Sequence, residues 1–209
     1  MRIYFTSSKE LFPEHLNEPN VLFVMPFTDI SMAKKASKLI AQRANYQGSI
    51  LCIHETYQEG FVSIINKAFK YSESLYFGYI AQDVFPGREW LKIAMTSMLQ
   101  HKAGLLAFND GKWHGAIASF GMVNQQWAKN NYEGDLFHPS YQQHYADTEL
   151  TILAQVNEVF CYEPNSVMLE IDWDKDLKSI NKNDRICFDN RCQTGFNGLI
   201  SPQQIRQPN

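Results

Sequence analysis

The sequence lacks any apolar run approaching the ~18 residues of a membrane-spanning helix. Its first dozen residues, MRIYFTSSKELF, lack the long apolar stretch of a secretory leader. No block of lysine and arginine stands out and the net charge is -3, so the electrostatic footprint of a nucleic-acid binder or a polybasic membrane anchor is missing. A cytoplasmic location is the resulting expectation. Cysteine is scarce: Cys52, Cys161, Cys187 and Cys192 form no pair of CxxC knuckles, which argues against a structural zinc site. Cys52 and Cys161 sit in apolar runs and read as small buried residues. Cys187 and Cys192 lie in a polar tail where a bond is conceivable, but free thiols are expected in a reducing compartment. Glycine-rich phosphate loops of the GxGxxG and GxxxxGK[ST] kinds are absent, as is a GxSxG nucleophile elbow, so dinucleotide, P-loop and serine-hydrolase readings have no support.

What is present is a globular composition, 44% hydrophobic and 20% charged, with 14 Phe, 10 Tyr and 4 Trp. A chain of 209 residues suits one good-sized domain and falls short of two ordinary ones. Apolar runs at 21–25, 49–53, 75–80 and 103–108 read as strands. Between them, residues 31–45, 60–69 and 88–99 carry apolar positions at helical spacing. Strand and helix in alternation, with strands apolar throughout, predict an α/β fold whose mostly parallel sheet is covered by helices on both faces. Ligands then bind beyond the carboxyl ends of the strands, at 26–29, 54–59, 81–87 and 109–114. Further along, 115–123 reads as a strand, 124–129 as a short helix and 130–145 as a polar, aromatic loop. A helix from Asp147 to about residue 155 follows, then short strands at 159–162 and 167–171. Residues 1–173 are expected to form the domain and 174–209 a polar C-terminal extension, frayed or wrapped over the surface.

Two places carry candidate chemistry. Asp83, just past the third strand, reads either as the holder of a divalent cation that neutralises a diphosphate or as the cap of the next helix. Asp147 and Glu149 read either as helix caps or as a catalytic pair, with one carboxylate taking a proton from an acceptor hydroxyl. Histidines and aromatics precede them in FHPSY (137–141) and in His144-Tyr145, which would suit the wall of a sugar site. His114 beside Trp113 reads as a packed pair or as an acceptor-side wall, and His54 and His101 as residues of strand end and loop.

The order of elements, the segment AQDVFPGREWL (81–91) and the later ADTEL (146–150) together resemble GT-A glycosyltransferases, in particular the inverting family 2 group and its small bacterial and phage relatives. The resemblance spans roughly residues 20–170; its motifs are short and carry weight as a set. It implies a GT-A fold, a nucleotide-diphosphate sugar donor, an acceptor hydroxyl of unknown identity, Mn²⁺ or Mg²⁺ as cofactor, and inversion at the anomeric carbon. By position, Asp83 matches the last acid of the Asp-x-Asp motif, with Gln82 beside it. Asp147 matches the general base, with Glu149 as its near neighbour and substitute. Pro26, Phe27, Thr28, Glu55 and Asn66 fall on the nucleotide side, and His138, Tyr141, His144 and Trp113 on the acceptor side. The chain departs from the pattern twice. Ala81 stands at the first acid of Asp-x-Asp, and residues 169–173 hold no histidine, leaving Glu170 or Asp172 as a substitute metal ligand. These departures leave open a protein that binds a nucleotide sugar without transferring it.

Overall fold

The computed structural model describes residues 1–11, 13–171 and 181–205, so the candidate ligand Asp172 lies outside the described residues. Eight strands form one sheet in the order β1-β3-β2-β4-β7-β6-β8-β5: β1 (Arg2–Ser7), β2 (Val21–Phe27), β3 (Ser49–His54), β4 (Tyr76–Tyr79), β5 (Val84–Pro86), β6 (Leu105–Asn109), β7 (Gly121–Asn124) and β8 (Phe160–Glu170). Pairing is parallel along β1-β3-β2-β4 and between β6 and β8, whereas β7 runs antiparallel to β4 and β6, and β5 antiparallel to β8.

The strands show why continuous apolar runs belong in such a sheet. Every residue of β2 is buried. Leu22 and Val24 point into one core, while Val21, Phe23, Met25 and Phe27 point into the other. β3 alternates likewise, with Leu51 and Ile53 on one side and Ile50 and Cys52 on the other. That two-residue period serves two apolar layers at once. The first layer is covered by α2 (Phe61–Tyr71) and α5 (Ala146–Val156), the second by α1 (Ile30–Arg43) and α3 (Trp90–His101). The Phe23 ring meets Trp90 edge-on at 4.9 Å. It also lies so close over Gly78 that a β-carbon there would come within 2.1 Å of it.

Several expectations are corrected. β1 was not foreseen: it is an edge strand with four of its six residues exposed, so it lacks the apolar burial by which the others are recognised. The two short strands expected at 159–162 and 167–171 are one strand, β8, whose pairing with β6 jumps at a bulge between Phe108 and Asn109. The strand expected over 115–123 shrinks to β7, because 110–119 form a loop tied off by Asp110. Residues 181–205 are no loose extension. They include α6 (Lys182–Gln193), and Phe188, Phe196 and Ile200 join the first core layer. The four cysteines are unbridged, and burial pushes the Cys52 thiol up to about 12. Among the described residues no helix is long and apolar enough to cross a membrane.

Candidate functional site

The carboxyl ends of β6 and β8 and the start of α5 enclose a cavity of about 450 Å³. Its wall takes six successive residues from the chain, Gln143 to Thr148, together with Lys112, Trp113, Ser119, Phe120, Phe137 and Glu170. The loop after β6 owes its shape to Asp110, which is 1% exposed. One carboxylate oxygen of Asp110 accepts the amide protons of Lys112 (2.9 Å) and Trp113 (2.8 Å), and the other accepts the Ser119 hydroxyl. This turn delivers Lys112 and Trp113 to the cavity, with the Lys112 ammonium 4.9 Å from the Trp113 ring centroid. The loop is fixed to α5 through Ala118, whose amide donates to the Thr151 hydroxyl (3.0 Å) and whose carbonyl accepts from Tyr79 (2.7 Å).

α5 begins at Tyr145, whose left-handed φ of 64° is costly for an aromatic residue. The expected cap role of Asp147 is therefore corrected: it sits inside the first turn, where its Oδ1 accepts from the Thr148 amide at 2.7 Å. Burial raises the Asp147 pKa above the usual carboxylate value, and the Thr148 amide and nearby His144 offset only part of that cost. The His144 Nδ1, buried in the same wall, has no hydrogen-bond partner among the described residues. A carboxyl at raised pKa in an aromatic, concave site can exchange a proton with a group bound there.

Glu149 is placed otherwise. It is fully buried and makes four hydrogen bonds: from the Tyr132 hydroxyl (2.8 Å), the Tyr141 hydroxyl (2.7 Å), and Arg191 through Nε (2.7 Å) and Nη2 (2.6 Å). Residues two apart on a helix face opposite sides, so Asp147 and Glu149 cannot share one cavity. The reading of Glu149 as a catalytic partner is corrected to that of an internal anchor. Tyr141, 2% exposed with its hydroxyl committed to Glu149, is corrected in the same way. His138 packs edge-on to Tyr132 at 5.7 Å and borders a different cavity of about 370 Å³ with Lys70, Asp135 and Arg191. Burial and the Arg191 charge lower its pKa. Asn66 spends both ends of its amide on the Phe137 backbone (2.8 and 2.9 Å), which holds the aromatic loop rather than a ligand.

The residues expected on the nucleotide side do gather, apart from Asn66, at the ends of β2, β3 and β4. Gln82 Oε1 accepts the amides of Thr28 (3.0 Å) and Asp29 (2.9 Å), binding the end of β2 to the end of β4. Pro26 pairs with Ile53 and Phe27 with His54, and the Phe27 and His54 rings stack at 5.2 Å. Glu55 accepts the Gly60 amide at 2.7 Å and so fixes the entry to α2. Phe27, Thr28 and His54 border an open cleft of about 470 Å³. Asp83 is buried at the start of β5, and its carbonyl accepts the Ile171 amide at 3.2 Å. Glu170, paired with Val84, brings a second carboxylate to this strand pair and lines the main cavity. No group of three His, Cys, Asp or Glu suited to a metal forms among the described residues.

Sequence reasoning missed Lys112, Phe120 and Gln143. The topology rule had marked 109–114 as ligand-facing, so a basic residue there was the available signal for Lys112. No protein-family model matches the chain, and no curated protein matches it. Solved structures do. S. aureus TarS superposes with a TM-score of 0.58 at 12% identity over 76% of this chain and 38% of TarS. The mannosyltransferase PcManGT from Pyrobaculum calidifontis, solved with GDP-Man and Mn²⁺, gives 0.56 at 12% identity over 77% of this chain and 59% of its own. A TarS 1–349 structure with UDP gives 0.53 at 12% identity, covering 88% of this chain and 76% of that one. The chain thus spans less than two thirds of the length of the first two, 38% of one and 59% of the other. It shares the GT-A-like fold of these glycosyltransferases.

Proposed function

We propose that the chain transfers a sugar from a nucleotide-diphosphate donor to an acceptor hydroxyl, with Asp147 as general base. The observation that carries this reading is the Asp147 carboxyl at raised pKa in the aromatic-walled cavity, on a fold shared with glycosyltransferases. Asp147 takes the proton of the acceptor hydroxyl as its oxygen attacks the anomeric carbon. The bond from that carbon to the diphosphate breaks on the opposite face, which inverts the centre. Trp113, with 37% of its surface exposed, offers a flat apolar face for a sugar ring. Lys112 and His144 are among the polar residues of the wall, suited to a phosphate or a hydroxyl. Phe27, Thr28, Glu55 and Gln82 form the edge against which the nucleoside lies.

A divalent cation is implied by the resemblance and by the Mn²⁺ bound in PcManGT. The carboxylates that the resemblance assigns to it are Asp83, just before β5, and Glu170, opposite Val84 on β8; Glu170 lines the main cavity and Asp83 does not, so the two do not form a ready-made cage. Such an ion would supply charge neutralisation to the departing diphosphate.

The test is a thermal-shift series with UDP, GDP, CDP and TDP and their sugars, with and without Mn²⁺. A ligand at a hundred times its dissociation constant adds ~2.7 kcal/mol. For a chain of this size that raises Tm by roughly 5–11 °C. Stabilisation by one nucleotide that needs Mn²⁺ and vanishes in Asp83→Ala supports the metal-dependent reading. A shift indifferent to Mn²⁺, without turnover, supports the non-transferring binder that Ala81 favours. Absence of any shift overturns both.

A further inference from the structure

We infer that α6 positions the active-site wall, and that Asp184 is its main positioning residue; the inference rests on the transferase reading above. The buried residues of α6 are Asp184, Phe188 and Arg191, spaced four and three apart on one helix face. One acid, one ring and one base are a poor choice for apolar stabilisation. Buried charges cost desolvation, and what they return is fixed geometry. Here all three address a single stretch of chain.

Asp184, 1% exposed, accepts three successive amide protons: from Gln142 (3.0 Å) on Oδ1, and from Gln143 and His144 (2.9 Å each) on Oδ2. Phe188 stacks on the Tyr145 ring at 5.1 Å and 25°. Arg191 grips Glu149 through two nitrogens. The six wall residues from Gln143 to Thr148 therefore run between two fixed points supplied by one helix, with the left-handed Tyr145 pinned midway. From the other side, the Gln142 carbonyl accepts the Val62 amide at 3.2 Å and packs against Gly60, where a β-carbon would come within 2.9 Å of it. The stretch that carries His144 and Asp147 thus takes its place from α6. A carboxylate facing three amides is a geometric stop: the wall cannot shift without losing charge-assisted bonds.

Asp184→Asn keeps the shape and one acceptor oxygen but loses the charge, and Asp184→Glu tests rescue by the same charge on a longer arm. In Asp184→Asn, amide exchange at 142–144 should rise about tenfold or more, while amides of β2 and β3 stay protected. Donor-sugar hydrolysis, with water as acceptor, should lose about tenfold or more in kcat with the donor KM held within about twofold. Asp184→Glu should recover part of both. Unchanged exchange at 142–144 would refute the clamp, and faster exchange with unchanged kcat would refute its catalytic relevance. If the wild-type chain neither binds nucleotides nor hydrolyses their sugars, the transferase reading falls by itself. The positioning claim is then judged by the backbone ¹H–¹⁵N resonance of Asp147, which lies beyond the bonded amides. A resonance moved in Asp184→Asn, with that of Ile53 unmoved, supports it, and an unmoved Asp147 resonance overturns it.

Discussion

Glu149 and Arg191 offer a prediction that separates an anchor from a catalyst. The Glu149 side chain is 0% exposed and that of Arg191 7%. The pair makes two charge-assisted bonds of 2.6 and 2.7 Å. Replacing Arg191 by Met leaves the carboxylate in an apolar layer with only two tyrosine hydroxyls. Breaking a buried pair from one side costs about 3–5 kcal/mol. For a domain of this size that is a fall of roughly 6–20 °C in Tm. The double variant Glu149→Gln/Arg191→Met has no charge left to strand. It should recover most of the loss, since replacing both partners of a buried pair is often close to neutral. The assay is calorimetric melting of the wild type, both single variants and the double variant, read as a thermodynamic cycle. A single Arg191→Met variant that melts within 2–3 °C of wild type, roughly 1 kcal/mol, would refute the reasoning. So would a double variant no more stable than the worse single one.

Asp147→Asn should abolish transfer, a loss on the order of 10²–10⁴-fold, while nucleotide affinity by thermal shift stays nearly intact; full activity would remove Asp147 from its role. The same substitution should leave stability equal or raised at pH 7. The folded pKa of Asp147 lies above the unfolded one, so the folded chain binds more protons between the two and ionisation of Asp147 opposes folding above that window. The advantage of the Asn variant in urea melts should therefore fade as pH falls through that window, and an advantage that grows in acid would contradict the cause assigned. In the pH profile of kcat, the acid limb should sit above the ordinary carboxylate range, because the base must be ionised to act. Gly78→Ala should lower stability by about 1–3 kcal/mol through collision with the Phe23 ring, as chemical denaturation would reveal.

The layered α/β architecture was legible because β2, β3 and β6 are apolar on both faces and α1 and α2 carry clear helical spacing. Asp147, Trp113 and His144, each singled out in the sequence, line one cavity. Glu149 was misread because two acids in one short motif look like a pair, although the helical repeat sends them to opposite sides. Tyr141 and His138 meet nearer residues, Glu149 and Tyr132; Asn66 faces Phe137, a partner 71 residues along the chain, and such a pairing leaves no local trace. The role of 181–205 was hidden for the same reason. A helix whose buried face is Asp184, Phe188 and Arg191 has no apolar stripe, so periodicity reads it as solvent-facing.

That long-range dependence bears on synthesis. The sheet strands β1 to β4 and the segment with Asp147 emerge early, but the guanidinium that secures Glu149 follows roughly forty residues later, a delay of about 2–9 s at ordinary elongation rates. Until then Glu149 lacks the counter-ion of its final site, where the Tyr132 and Tyr141 hydroxyls bond it without offsetting its charge. The fixing of that stretch therefore waits for α6, and a chain that ends prematurely before Arg191 is released with the anchor missing.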